Sequence, residues 1–175
     1  MSVNDISILF KPPEVPHEQA NNKQWPEILQ QLGTELPTDY KDFLTLYGSG
    51  KIDNFLCVLN PFSQNENQNL EKQLQTQLAV LSELQTCGEI LPYKFFPNVG
   101  GILPFAITDN GDVLFWHTVG MADEWTVVVN EARSLEWEAF PMSMSEFLAN
   151  VLNRQIRPAA FPKAFPNSLI FTPTY

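Results

Sequence analysis

The sequence predicts an α+β fold in a single domain, mainly an antiparallel sheet packed against N-terminal, middle and C-terminal helices. Three observations carry that prediction. The apolar period is helical through the first half of the chain and becomes two-residue alternation between residues 100 and 140. The elements run as two helices, a strand, a long helix, successive antiparallel strands and a closing helix, without the strict alternation of a parallel α/β domain. The chain has 175 residues, 44% hydrophobic and 17% charged, which is enough for one core and too apolar for a disordered chain. Three segments follow: an irregular N-terminal arm at 1–23, the α+β domain at 24–154, and an extended Pro/Phe-rich tail at 155–175 packed on the domain.

The arm carries Pro12, Pro13 and Pro16 and shows no helical period. A short helix begins near residue 24, with Pro26 in its first turn, Gly33 as its stop, and Trp25, Ile28, Leu29 and Leu32 at helical spacing. A second helix at 37–48 buries Leu36, Tyr40, Phe43, Leu44 and Tyr47 and turns Asp39, Lys41 and Asp42 to water. Gly48 and Gly50 then release the chain into the apolar run 55–59, a buried strand closed by Asn60 and Pro61. Leu70, Leu74, Leu78, Leu81 and Leu84 recur every three or four residues in a long Gln-rich helix at 67–86 that Gly88 terminates.

Residues 102–108 and 112–117 flank Asp109-Asn110-Gly111, whose Asn-Gly pair suits the positive φ angles of a tight hairpin turn. The strand at 124–130 sets Trp125, Val127 and Val129 on one face. The next, at 134–140, sets Leu135, Trp137 and Ala139 opposite Glu136 and Glu138. Ser143 and Glu146 form a capping box for a last helix through Phe147, Leu148, Val151 and Leu152. Pro158, Pro162, Pro166 and Pro173 exclude a helix from the tail, so it is expected to wrap the core in extended form.

Four of these stretches, in this order, resemble the SUKH superfamily, which includes yeast Smi/Knr-type cell-wall regulators and many bacterial toxin-immunity proteins. They are LPTDYKDFLTLYGSGKI at 36–52, LPFAITDNGDVLFW at 103–116, the Val-rich strand at 126–129, and SMSEFLANVL at 143–152. The long Gln-rich helix and the Pro/Phe tail are additions to a minimal member. The resemblance implies a SUKH-like fold over 24–154, no catalytic residues, and a binding function. It implies a non-enzymatic bacterial immunity protein that neutralises a cognate toxin domain, such as a nuclease, by occluding it; the alternative is a regulatory or scaffold module for cell-wall or signalling partners.

The residues themselves suggest no catalytic, cofactor or metal site. His17 and His117 fall in no metal-ligand spacing. Cys57 sits in an apolar strand and Cys87 beside a helix stop; both read as reduced, buried thiols, too few for a disulfide framework. Gly48-Ser49-Gly50-Lys51 is not a phosphate loop, because Thr45 and Ile52 stand where Gly and Ser or Thr are required and a helix precedes it. Asp109-Asn110-Gly111-Asp112 lacks calcium-loop spacing. Glu136 and Glu138 have no partner group for acid–base work. Trp116, Trp125 and Trp137 are stacking candidates, but alternation assigns at least the last two to the core.

Charge is the most informative feature. Twenty acidic residues against ten Lys and Arg leave a net charge of −10. That surface repels nucleic-acid phosphates and anionic membranes and attracts a basic protein. Between residues 100 and 146 eight acids accompany one base, Arg133, whereas from 147 onward there are three bases and no acid. Asp109, Asp112, Asp123, Glu124, Glu136 and Glu138 are therefore the expected partner contacts. A basic toxin domain is the expected partner, and a monomer or weak dimer the expected state. No apolar run reaches the roughly 20 residues of a membrane span, and the apolar stretch at 6–10 is too short for a signal-peptide core. The cytoplasm is the expected compartment.

Overall fold

A computed structural model describes residues 3–175. In chain order the elements are α1 (Val3–Leu9), α2 (Trp25–Leu32), α3 (Thr38–Tyr47), β1 (Gly50–Ile52), β2 (Leu56–Val58), α4 (Leu70–Thr86), β3 (Lys94–Phe95), β4 (Gly101–Thr108), β5 (Val113–His117), a 3-10 turn (Ala122–Glu124), β6 (Thr126–Asn130), β7 (Trp137–Phe140), α5 (Met144–Leu152) and β8 (Phe171–Pro173). The eight strands form one sheet in the order β7-β6-β5-β4-β2-β1-β8, with β3 added beside β4. Every pairing is antiparallel except β3 with β4. The fold is the α+β arrangement that the periodicity predicts.

The apolar stripes decide which face of each helix turns inward. Leu36, Tyr40, Phe43, Leu44 and Tyr47 are all buried, as their spacing requires, and they meet Phe147 and Leu148 of α5 in the main core. Two buried phenols find acceptors: Tyr40 donates to Leu59 O at 2.7 Å and Tyr47 to Phe10 O at 2.9 Å. The leucine stripe of α4 is divided. Leu70 and Leu74 join the main core, while Leu81 joins Ile102, Val113 and Phe115 in a second cluster. Both helices are capped by side chains: Asn69 accepts from the amides of Glu71 and Lys72, and Ser143 Oγ accepts from Glu146 N–H.

Four local expectations are corrected. The arm is not irregular throughout, because residues 3–9 form α1, with Val3, Ile6 and Phe10 buried at i, i+3 and i+7; residues 1 and 2 of the arm lie outside the described residues. A helix of seven residues is unstable alone and owes its form to packing on α5 and α3. In the β4–β5 turn only Gly111 takes positive φ, at 93°. Gly111 N–H donates to Thr108 O, giving a three-residue loop rather than two positive-φ residues. In β7 the alternation holds, but the face set with the main core is the one that carries the acids: Glu138 pairs with Val129 and Phe140 with Val127. Trp137 packs instead with Tyr93 and Phe115 in the second cluster, Ala139 is exposed, and Leu135 is 50% exposed. Cys57 is buried, but Cys87 is exposed.

The tail is pinned by aromatic rings and by one aspartate. Phe161 and Phe165 lie 5.5 and 4.9 Å from the Phe55 ring, and Phe171 lies 5.1 Å from Tyr47. Asp53 accepts from the amides of Asn167 and Ser168 and from the Ser168 hydroxyl. The glycines of the Gly48-Ser49-Gly50 exit serve this packing. A Cβ on Gly48, which has φ 65°, would sit 2.1 Å from His17 O, and one on Gly50 would sit 2.4 Å from the Phe171 ring. The arm and the tail both close over that exit.

Candidate protein-docking surface

The six predicted contact acids do not form one platform. The β4–β5 turn lies at the start of β5 and the 118–125 loop at its end, so Asp109 and Asp112 are separated from Asp123 and Glu124 by about 15 Å, at roughly 3.3 Å per residue of strand. Most of the six also have partners within the chain. Asp109 accepts a 2.6 Å ion-pair bond from Lys51 Nζ. Asp123 accepts from Thr38 N–H at 2.6 Å and from Thr38 Oγ1 at 3.1 Å, which satisfies the start of α3. Glu124 accepts from Met121 N–H at 2.8 Å. Glu138 accepts from Ala159 N–H at 2.8 Å and so holds the tail. Glu136 is exposed, and its carboxylate makes no bond to another described residue.

Asp112 is the clear departure. Its side chain is 2% exposed; Oδ2 accepts from Thr108 Oγ1 at 2.6 Å and Oδ1 from Ala132 N–H at 3.0 Å. It ties the β4–β5 turn to the β6–β7 turn and is withdrawn from any partner. The Trp residues divide as alternation suggests for Trp125, which is in the main core with Trp116; Trp137 is half-buried in the second cluster.

Six of the acids line two recesses, while Asp109 and Glu124 are exposed outside both. One, of about 370 Å³, lies alongside β7 and is lined by Glu131, Glu136, Glu138, Val129, Trp137, Ala159 and Ala160. The other, of about 280 Å³, lies where α3 and α5 begin and includes Asp39, Asp42, Asp123 and Trp125. Among the described residues no Lys, Arg or His lines either one. The sequence placed Asp39 and Asp42 on a wet helix face without connecting them to Asp123. Asp39 is half-buried and accepts from Ser145 N–H at 2.8 Å, so α3 supplies a cap to α5 across 106 residues of chain. Glu131 was legible only as one more acid in the count.

Cys57 and Glu18, both perturbed, lie elsewhere. Burial pushes the Cys57 thiol up to about 12, with Lys51 and Asp109 acting in opposite directions. Burial raises Glu18, but hydrogen bonds from Ser49, Gln64 N–H and Ser63, with His17 nearby, outweigh it and leave the carboxyl below its ordinary value. Glu18 thereby locks the arm to Ser49, with Ser49 Oγ–Glu18 Oε2 at 2.6 Å. Among the described residues no three His, Cys, Asp or Glu side chains converge as metal ligands, and no helix is long and apolar enough to cross a membrane.

A family model of the SUKH_6 group, described as SMI1-KNR4 cell-wall, matches residues 22–148, more than half of the chain. The chain belongs to the SUKH superfamily. The match runs from the approach to α2 into α5, so both acidic recesses of this SUKH protein fall largely within it. The α1 helix and the tail beyond α5 lie outside. Curated proteins and solved structures give no match. SUKH proteins include immunity proteins and cell-wall regulators.

Proposed function

We propose that this SUKH protein is a non-enzymatic bacterial immunity protein of the cytoplasm, which binds a basic toxin domain and neutralises it by covering its working surface. The observation that carries this reading is the pair of acidic recesses, largely within the family-matched span, that no basic side chain lines among the described residues. Carboxylates held in place by the fold present a fixed negative potential, which speeds the approach of a cationic partner. The test is co-expression with the product of the adjacent gene, which this reading expects to carry a toxin domain. The reading expects restored growth, a 1:1 complex, and loss of toxin activity in proportion to bound protein. Unimpeded toxicity with no complex refutes it.

The family description itself favours a second reading, a regulatory module for cell-wall assembly. That reading expects a wall defect in a deletion strain that carries no toxin gene. The immunity reading expects none.

A further inference from the structure

The end of the sheet at β7 carries more than charge. β6 pairs β7 on its inner side, and β7 closes the strand order on the other. Glu131 N–H donates to Glu136 O at 3.2 Å, and the register continues by twos through Val129 with Glu138 and Val127 with Phe140. In an antiparallel ladder these are the pairs whose main-chain groups face each other, so the N–H and C=O of Trp137 and Ala139 turn outward. Among the described residues nothing takes up those outward groups. The opposite edge is different: β8 contains Pro173, which has no N–H to offer, while β7 contains no proline.

An open edge is a template for another strand, and charge selects which strand. A second copy of this chain, pairing β7 with β7, would bring Glu131, Glu136 and Glu138 of both copies together, and facing like charges disfavour that pairing. Those same carboxylates, in a recess of about 370 Å³ that no basic residue lines among the described residues, suit Lys or Arg side chains at alternate positions of an added strand. We infer that β7 is a strand-addition site for an extended, Lys- or Arg-bearing segment of a protein partner. The segment's main chain pairs with Trp137 and Ala139, and its basic side chains on the Val129 face reach Glu138 and its neighbours. The inference rests on the proposal that this protein binds a basic partner, and it adds the conformation of the bound segment and its place.

The probe is the capped peptide Lys-Val-Lys-Val-Lys-Val, with Glu-Val-Glu-Val-Glu-Val as its control, added to the full chain and followed by amide NMR. The expected result is binding of the lysine peptide alone, weakening as salt rises, with exchange of the Trp137 and Ala139 amide protons slowed about tenfold or more. Ala139→Pro removes one outward N–H and should abolish the protection. Glu136→Lys, at an exposed side chain, should weaken lysine-peptide binding severalfold without unfolding the chain. Binding that leaves those two amides unprotected, equal protection by the acidic peptide, or pairing of two copies through β7 would each overturn the inference. A toxin neutralised equally well by wild type and Ala139→Pro overturns the edge assignment and leaves the immunity reading standing. A toxin neutralised by neither overturns that reading, and the peptide result still decides the edge.

Discussion

Replacing Asp112 by Ala separates a structural carboxylate from a recognition carboxylate. The side chain is buried and accepts two hydrogen bonds, from Thr108 Oγ1 and Ala132 N–H. A hydrogen bond to a charged group contributes about 1.5–3 kcal/mol. Removal strands both donors, but Ala132 is half-buried and turns partly to water, so the expected loss is about 2–4 kcal/mol. With a urea slope of about 2 kcal/mol per molar, the unfolding midpoint falls by about 1–2 M. Asp112→Asn is the matched control. Its amide oxygen still accepts from Ala132 N–H, while the Thr108 hydroxyl loses its carboxylate acceptor, so the loss is smaller than for Ala, about 1–2 kcal/mol. Equilibrium urea unfolding followed by tryptophan fluorescence measures all three proteins. An unchanged midpoint for Asp112→Ala, with slower association to a basic partner, would refute the reasoning and return Asp112 to the surface.

Other outcomes follow from the same contacts. Leu44→Ala, at a fully buried position in α3, should cost about 2–5 kcal/mol in the same unfolding assay. A thiol reagent should modify exposed Cys87 in the native chain and reach buried Cys57 only on unfolding. Because the folded carboxyl of Glu18 is held below its ordinary value of 4.5, its stabilisation is fully present above that value and is lost as pH falls through the lowered value. The stability difference between wild type and Glu18→Gln should therefore be constant near neutrality and shrink only below about pH 4.5, as read by acid unfolding.

The helical half of the fold was legible because its stripes are long and one-sided. Leu36 to Tyr47 and the α4 leucines need only the 3.6-residue period to be placed. α1 was not, since its three inward residues, Val3, Ile6 and Phe10, span only eight positions, too few to register as a period, and tertiary packing selects the helix. β7 shows a different limit. Alternation separates Glu136 and Glu138 from Trp137 and Ala139, but it does not say which set faces the larger core when a sheet has apolar clusters on both faces. The acids show a third. Their number sets the net charge, yet whether Asp112 is buried or Glu136 free depends on Thr108, Ala132 and the turn geometry that brings them together. The Asp39–Ser145 and Asp123–Thr38 caps join segments 106 and 85 residues apart, which no local pattern connects.

The most direct measurement is the association rate with the toxin domain that the immunity reading expects as partner, taken by stopped flow at low and at physiological-to-high ionic strength. Exposed charges farther apart than the ~8 Å screening length at physiological salt lose most of their mutual attraction. The on-rate should fall steeply with salt, and fall further when Glu131 and Glu136 are reversed to Lys, with a smaller change in the off-rate. An on-rate indifferent to salt and to both reversals would show that the acidic recesses do not recognise the partner, and would contradict the account.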